Sequence, residues 1–158
     1  MPTTSEPPVE RPDESGAVAS PAERVAAIAE RFGIDVIYAF GSRAREALAL
    51  TLGTGTFAPF QTSDLDFAVL PCAGVTWGVD DRVLMTVAFE EVFAAPRVDL
   101  VVLPEAPPFL ALAAVCGELL YAREAHREAN YQLYVLRRAG DLAPFERERR
   151  AALLGTST

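Results

Sequence analysis

The chain of 158 residues contains little cysteine, one histidine and fewer basic than acidic side chains. Its two cysteines, Cys72 and Cys116, form no metal-binding motif, so we expect two cytosolic thiols. The 14 basic residues are outnumbered by 22 acidic ones, which gives a formal net charge of −8. This charge argues against sequence-independent binding of nucleic acid, which depends on neutralising phosphates. It leaves a nucleotide ligand open, because a bound metal ion reverses the local charge.

Long apolar runs are absent as well. No stretch of the sequence approaches the roughly 18 apolar residues that a membrane-spanning helix requires. The opening sequence, MPTTSEPPVERPDESG, has no basic patch followed by an apolar segment, as a secretory signal would have. We therefore expect a cytoplasmic protein with no membrane partner and no direct binding of nucleic acid.

The apolar residues that are present, 51% of the chain, suffice for one packed domain. Residues 1–19 hold four of the twelve prolines and almost no large apolar side chain, so they are predicted to form a disordered tail. Residues 20–150 are predicted to form the domain, including its C-terminal helices. Residues 151–158 are predicted to be a flexible tail.

Helical and extended patterns alternate along the domain. A capping box at Ser20 and Glu23 opens a helix that Gly33 ends. Short apolar runs predict three strands, at 34–40, 65–70 and 97–103. Helical periodicity predicts further helices, at 42–50, 80–95, 108–116 and 124–138. This order indicates a compact α/β domain around a sheet of three strands.

Three aspartates interrupt the apolar strand sequences. Asp64 and Asp66 are two positions apart in SDLDFAVL, so in a strand they face the same side, roughly 6.5–7 Å apart. Asp99 lies in a similar run, VDLVVL, and would join them if the two strands are neighbours. Such a group of carboxylates suits Mg²⁺, which prefers oxygen ligands. The alternative is a solvated strand end with harmless acids.

Gly41 and Ser42 end the first predicted strand and open a helix. Such a turn presents backbone N–H groups and the positive end of the helix dipole to an anion. The Ser42 hydroxyl can donate to a phosphate, or simply cap the helix, and Arg43 and Arg45 add positive charge. A metal on the acids and phosphates on this turn predict a nucleoside triphosphate site for nucleotidyl transfer.

Together, GSRAR at 41–45, SDLD at 63–66 and Asp99 resemble the nucleotidyltransferases of the DNA polymerase β superfamily. The sequence looks most like the minimal nucleotidyltransferases (MNT) that pair with HEPN toxins in toxin–antitoxin systems. GELLYAREAHREANYQLYVLRRAGDLAPF is similar to the C-terminal part of those antitoxins. The resemblance covers about residues 21–150. It implies the polymerase β-type nucleotidyltransferase fold, a small mixed sheet flanked by helices.

The resemblance also implies the chemistry. The catalytic acids, which would hold two Mg²⁺ ions, are Asp64, Asp66 and Asp99. The residues that would bind ATP are Gly41, Ser42 and Arg45. The expected function is transfer of AMP from MgATP to a hydroxyl, a tyrosine, of a partner HEPN ribonuclease toxin, which silences the toxin within a hetero-oligomer. Two alternatives stay open: an antitoxin that neutralises the toxin by binding alone, and a small-molecule nucleotidyltransferase of the aminoglycoside type.

Two features depart from the family pattern. Glu46 stands where the family usually has Gly, and an acid beside a triphosphate either weakens its binding or points away. Glu46 is the reason to consider binding alone. In addition, 22 positions separate Ser42 from Asp64, with a Gly/Thr-rich loop between them. That loop is expected to gate the site, contact the partner or be surface.

Overall fold

A computed structural model describes residues 18–55 and 63–155. The elements follow in the order α1 (Pro21–Phe32), β1 (Ile34–Phe40), α2 (Ala44–Thr51), β2 (Leu65–Pro71), α3 (Val79–Phe93), β3 (Val98–Val102), α4 (Pro108–Val115), β4 (Glu118–Ala122) and α5 (Ala125–Leu153). The strands form one sheet in the order β3-β2-β1-β4. β1 is antiparallel to β2 and β4, whereas β2 and β3 are parallel. The predicted α/β fold with a mixed sheet is confirmed.

Helices cover both faces of the sheet, each over its own apolar core. On one face, α1, α2 and α3 pack on the sheet through a core that includes Ile28, Ala47 and Phe89. On the other face, α4 and α5 pack on it through a core that includes Ala114 and Val135. Because strand side chains alternate between faces, a polar residue in a strand belongs to one of these two layers. This alternation places the acids described below.

Two elements differ from the sequence-based expectation. The sheet has a fourth strand, β4, where the sequence indicated only a short extended piece. The last helix does not end near Arg138 but continues to Leu153. Beyond Ala139 its residues are not buried, so the apolar periodicity that marks a packed helix stops while the helix continues. Within the described residues, no helix is both long and apolar enough to cross a membrane.

A buried ionic contact ties the start of α5 to β1. Asp35 of β1 is almost completely buried, and Arg127 Nη2 lies 2.7 Å from its Oδ2. Arg123 Nε lies 3.6 Å from Oδ1, and the Cys72 thiol donates to the same oxygen. Both cysteines are free thiols, as predicted. The contact fixes α5 over the sheet at the end of β1 that lies away from Gly41.

The predicted tails and part of the long loop fall outside this description. The tail expected over residues 1–19 is described only from residue 18, and the last three residues of the chain are not described. Residues 56–62 of the Gly/Thr-rich loop are outside it too. The division into a domain and two tails stays a prediction.

Candidate active site

The strand register brings two of the predicted acids side by side. Asp66 of β2 is the direct partner of Asp99 in β3, because the two strands are parallel neighbours. Leu65 and Phe67 point into the core under α1 and α3, so Asp66 projects from the opposite face. The condition under which Asp99 joins Asp66, that the two strands are neighbours, is met. Asp64 lies just before β2, where the Leu65 N–H donates to the Arg97 carbonyl.

Gly41 touches this acidic group directly. Phe40, the last residue of β1, pairs with Asp66, and Gly41 then turns the chain with φ +75°. A Cβ atom at this position would lie 2.5 Å from Asp66 Oδ2, far inside van der Waals contact. Only glycine meets both demands without strain, since other L residues avoid positive φ. The turn predicted to bind phosphate and the acids predicted to bind metal therefore form one site.

Asp66 lies in surroundings that oppose its ionisation. The pKa of Asp66 is raised above its usual value by burial, and further by the negative charges of Asp99 and Asp64. Arg97 is the cation near them, with Nε 3.4 Å from Asp64 Oδ2 and Nη2 3.4 Å from Asp99 Oδ1. Arg97 is 67% exposed, so this compensation is weak. Carboxylate oxygens that repel one another form a donor set that fits a hard divalent cation.

Within residues 18–55 and 63–155, however, no group of three acids, histidines or cysteines is already arranged to hold a metal ion. The assignment of Asp64, Asp66 and Asp99 as metal ligands stays a prediction, supported by the pairing of Asp66 with Asp99 and by the raised pKa of Asp66.

A polar cavity of about 510 Å³ opens beside the turn. Gly41, Ser42 and Arg45 line it, together with Cys116 and Glu118. Ser42 is exposed and therefore free to meet a ligand. Arg45 is 95% exposed, with Nε 3.9 Å from Glu118 Oε1, so its guanidinium remains available to an anion. The structure thus keeps the three predicted nucleotide-binding residues together at one opening.

A larger cavity, of about 610 Å³, lies elsewhere and is not the predicted site. Its lining is mostly apolar and comes from Trp77, Val79, Val83, Val87 and Leu100. Leu100 faces the core under α3, on the side of the sheet opposite to Asp99. Trp77 also donates its ring N–H to the Phe32 carbonyl, which makes it a packing residue.

Gly117 lets the part of the polar cavity lined by Cys116 and Glu118 approach β1. A Cβ atom at Gly117 would lie 2.3 Å from the Ala39 carbonyl oxygen and 2.9 Å from Phe40 Cβ. These are atoms of the strand that carries Gly41 at its end. The junction of α4 and β4 therefore packs against the end of β1, and it sets Cys116 and Glu118 beside the turn.

Arg43 and Glu46 are arranged in a way that the sequence analysis did not foresee. Arg43 is 5% exposed, and its guanidinium donates twice to the Glu46 carboxylate, at 2.8 and 2.9 Å. Its remaining terminal nitrogen donates to the Ser63 carbonyl at 2.6 Å. The hydrogen bonds from Arg43 lower the pKa of Glu46, despite partial burial. Arg43 is therefore not a charge facing the phosphate turn, and Glu46 is not an unpaired acid.

A signal for this pair existed in the sequence, since residues three apart on a helix are neighbours. The expectation that Arg43 adds charge for a phosphate was wrong, because its donors are used inside the chain.

Comparisons with known proteins give matches among solved structures. No protein-family model and no curated protein sequence matches the chain. An MntA–HpeT toxin–antitoxin complex with two aspartates replaced by glutamate matches at 16% identity and a TM-score of 0.65, over 84% of this chain and 98% of the other. A toxin–antitoxin complex with AMP-PNP matches at 18% and 0.62, over the same shares.

A third match is a tri-AMPylated HEPN toxin from Shewanella oneidensis in complex with an MNT antitoxin. Identity is 17% and the TM-score 0.61, over 85% of this chain and 96% of the other. The structural similarity establishes the fold, and identities this low support no finer conclusion. The predicted resemblance is confirmed at the level of the fold. The chain has the fold found in these MNT antitoxin complexes with HEPN toxins.

Proposed function

We propose that the protein is an antitoxin that transfers AMP from MgATP to a hydroxyl, most simply a tyrosine, of a partner HEPN toxin. The observation that carries this proposal is the contact between Gly41 and Asp66, whose strand partner is Asp99. A turn suited to phosphates and a group of acids suited to a metal lie within van der Waals reach of each other. This is the arrangement that phosphoryl and nucleotidyl transfer require.

The solved structures support the same proposal. One of the matching complexes contains AMP-PNP, and in another the HEPN toxin is tri-AMPylated. A protein with this fold therefore occurs in complex with a toxin that carries AMP groups. For the present chain, a HEPN toxin in a hetero-oligomer, ATP as substrate and a cytoplasmic location follow as parts of the proposal.

The chain's own residues would act as follows. The N–H groups of the Gly41-Ser42 turn and the Ser42 hydroxyl bind the phosphates, and Arg45 adds a charge at the opening. The acceptor oxygen attacks the α-phosphorus, the bond from that phosphorus to the bridging oxygen breaks, and pyrophosphate leaves. The hydroxyl proton passes to a carboxylate, for which Asp99 is our choice because it is the most exposed of those described at the site.

The three aspartates, Asp64, Asp66 and Asp99, are the residues that would hold Mg²⁺. When bound, the ions supply charge stabilisation to the attacking and leaving oxygens. Burial and the charges of Asp99 and Asp64 raise the pKa of Asp66, and a bound cation would offset this effect.

The observation that favoured neutralisation of the toxin by binding alone no longer supports it. It rested on Glu46 as an extra negative charge near the triphosphate. Glu46 is instead paired with the buried Arg43 through two hydrogen bonds. We therefore favour the catalytic proposal, and we keep binding alone as an outcome of the test.

The test is intact-mass spectrometry of the partner toxin after incubation with this protein, ATP and Mg²⁺. The matched control is the double variant Asp64→Asn/Asp66→Asn, which keeps the size of both side chains. We expect the toxin mass to rise by one or more AMP units with the native chain and to stay unchanged with the double variant. A silenced toxin of unchanged mass in a stable complex would instead establish binding alone, and a modified small molecule would establish the third alternative.

A further inference from the structure

Arg43 stands in the middle of the phosphate-turn motif, yet it is one of the most buried charged residues described. It lies directly before α2, with the guanidinium turned inward toward the loop that leads to β2. The carboxylate of Glu46, on the first turn of α2, accepts hydrogen bonds from Nε and Nη2 of Arg43. A planar guanidinium held in this bidentate way has a fixed direction, which a lysine ammonium would lack.

The third contact of Arg43 is the one with a consequence for the site. Nη1 donates to the carbonyl of Ser63 at 2.6 Å, and Ser63 is the residue before Asp64. On the other side of Asp64, the Leu65 N–H donates to the Arg97 carbonyl at 3.2 Å. Asp64 itself lies outside the regular strand. The main chain on each side of this acid is thus anchored, once by Arg43 and once by the segment before β3.

The Arg43 anchor joins the two halves of the site. Arg43 follows Ser42 directly, so its main chain belongs to the turn proposed to bind phosphates. Its side chain fixes the main chain that carries Asp64. The contact therefore relates the position of the phosphate turn to the position of the first acid. The hydrogen bond joins positions 20 residues apart in the sequence.

We propose that Arg43, oriented by Glu46, is a positioning residue that sets Asp64 relative to the Gly41-Ser42 turn. This inference rests on the proposed function, since it concerns how that site is held together. Arg43 touches neither substrate nor metal in this account and acts through Ser63. A loose Asp64 would leave the nucleotide able to bind but poorly placed for transfer, because displacements of about 1 Å cost about 100-fold in rate.

The chain offers a matched control in Arg82. Its guanidinium also forms a bidentate pair with a glutamate, Glu105, at 2.6 and 2.8 Å, and it also donates to a backbone carbonyl, that of Trp77. Arg82 lies near the start of α3, and Glu105 lies in the short turn that follows β3. Replacement of either arginine by lysine keeps the charge and removes the fork.

The experiment compares Arg43→Lys with Arg82→Lys in the full chain. For each we would measure kcat and KM for MgATP in AMP transfer to the toxin, beside the melting temperature. We expect Arg43→Lys to lower kcat by about 100-fold with little change in KM, and Arg82→Lys to leave both unchanged. A purely structural role would lower the melting temperature and spare kcat per folded molecule. Equal kcat in the two variants would overturn the inference.

A second readout separates this inference from the proposed function. Titration with Mn²⁺ in the presence of AMP-PNP, followed by electron paramagnetic resonance, needs neither toxin nor transfer. If the native chain transfers no AMP, the proposed function fails, and the spectrum of bound Mn²⁺ then tests Arg43 alone. We expect an altered spectrum of the bound Mn²⁺ in Arg43→Lys only. Identical spectra in both variants would overturn the inference. If Arg43→Lys does not fold, Glu46→Gln takes its place in the experiment, because it removes the charged partner of the Arg43 guanidinium.

Discussion

Replacement of Gly41 by alanine tests the central contact of the site. The substitution meets two separate obstacles: φ is +75° at this position, and the new Cβ would lie 2.5 Å from Asp66 Oδ2. An L residue in the left-handed region costs about 1–2 kcal/mol. Displacing a short side chain from its rotamer costs about 0.5–1.5 kcal/mol more. We therefore expect Gly41→Ala to lower the free energy of unfolding by about 2–3 kcal/mol.

A control glycine separates the two obstacles. Gly74 has φ +80°, but no described atom lies within 4 Å of the Cβ that an alanine would place there. Gly74→Ala therefore measures the backbone cost alone, about 1–2 kcal/mol. The steric part appears as the difference between the two variants. Urea unfolding followed by circular dichroism gives both free energies, provided that the slopes of the transitions agree.

Asp66→Ala supplies the second control, because it removes the carboxylate that the new methyl group would strike. In that background we expect Gly41→Ala to cost only as much as Gly74→Ala. The resulting coupling between positions 41 and 66 is about 1 kcal/mol, well above the error of a double-mutant cycle. AMP transfer should fall by about 100-fold in Gly41→Ala and remain in Gly74→Ala. If Gly41→Ala has the same cost with and without the Asp66 carboxylate, our account of the contact is refuted.

Three further predictions concern charged residues. Asp66→Asn should abolish AMP transfer yet raise the melting temperature at neutral pH. The pKa of Asp66 is raised in the folded state, so its ionised form opposes folding above that pKa, and the gain in stability should vanish as the pH falls toward 4. The control Asp141→Asn, an exposed change of equal charge, should show no gain. A lower stability of Asp66→Asn at neutral pH would contradict this prediction. Arg97→Ala should tighten Mn²⁺ binding by up to about fivefold, because Arg97 competes with the ion for Asp64 and Asp99 and an exposed ion pair contributes up to about 1 kcal/mol. Weaker binding in a calorimetric titration would argue against this competition. Arg127→Ala should lower the free energy of unfolding in urea by about 1–3 kcal/mol, since it leaves the buried Asp35 with one fewer partner. An unchanged midpoint would be inconsistent with this contact.

The sequence predicted well those elements whose local signals agree. α1 begins at the capping box of Ser20 and Glu23 and ends at Gly33, as expected. β1 occupies 34–40 as predicted, because all seven of its residues are buried and must be apolar apart from one paired acid. β4 was missed as a strand because its side chains are only partly buried and carry no alternating pattern. The far half of α5 was missed for the related reason that it buries nothing.

In the candidate site, too, features set by local sequence could be predicted, whereas a contact between distant residues could not. Alternation along a strand, a local rule, places Asp66 on the face opposite to Leu65 and Phe67, and the pairing of β2 with β3 brings Asp99 beside it. Residue types and spacing did not predict what Arg43 does, because its contact with Ser63 joins positions 20 residues apart in the chain. Glu46 looked like a defect when judged against a family pattern. In the structure it is the partner that keeps a buried arginine in place.

The described part of the chain treats buried charge in two different ways. Arg43 is matched by Glu46, and Asp35 by Arg127, so each of these charges is balanced within the chain. Asp66 is partly buried beside two further carboxylates, and the cation near that group is an exposed arginine at 3.4 Å. A chain that compensates charge closely elsewhere leaves this group under-compensated at the place where Gly41 opens the turn that we propose binds phosphates. Such a pattern is expected where the missing charge comes from a ligand, and this is the physical reason to look for a divalent cation and a triphosphate here.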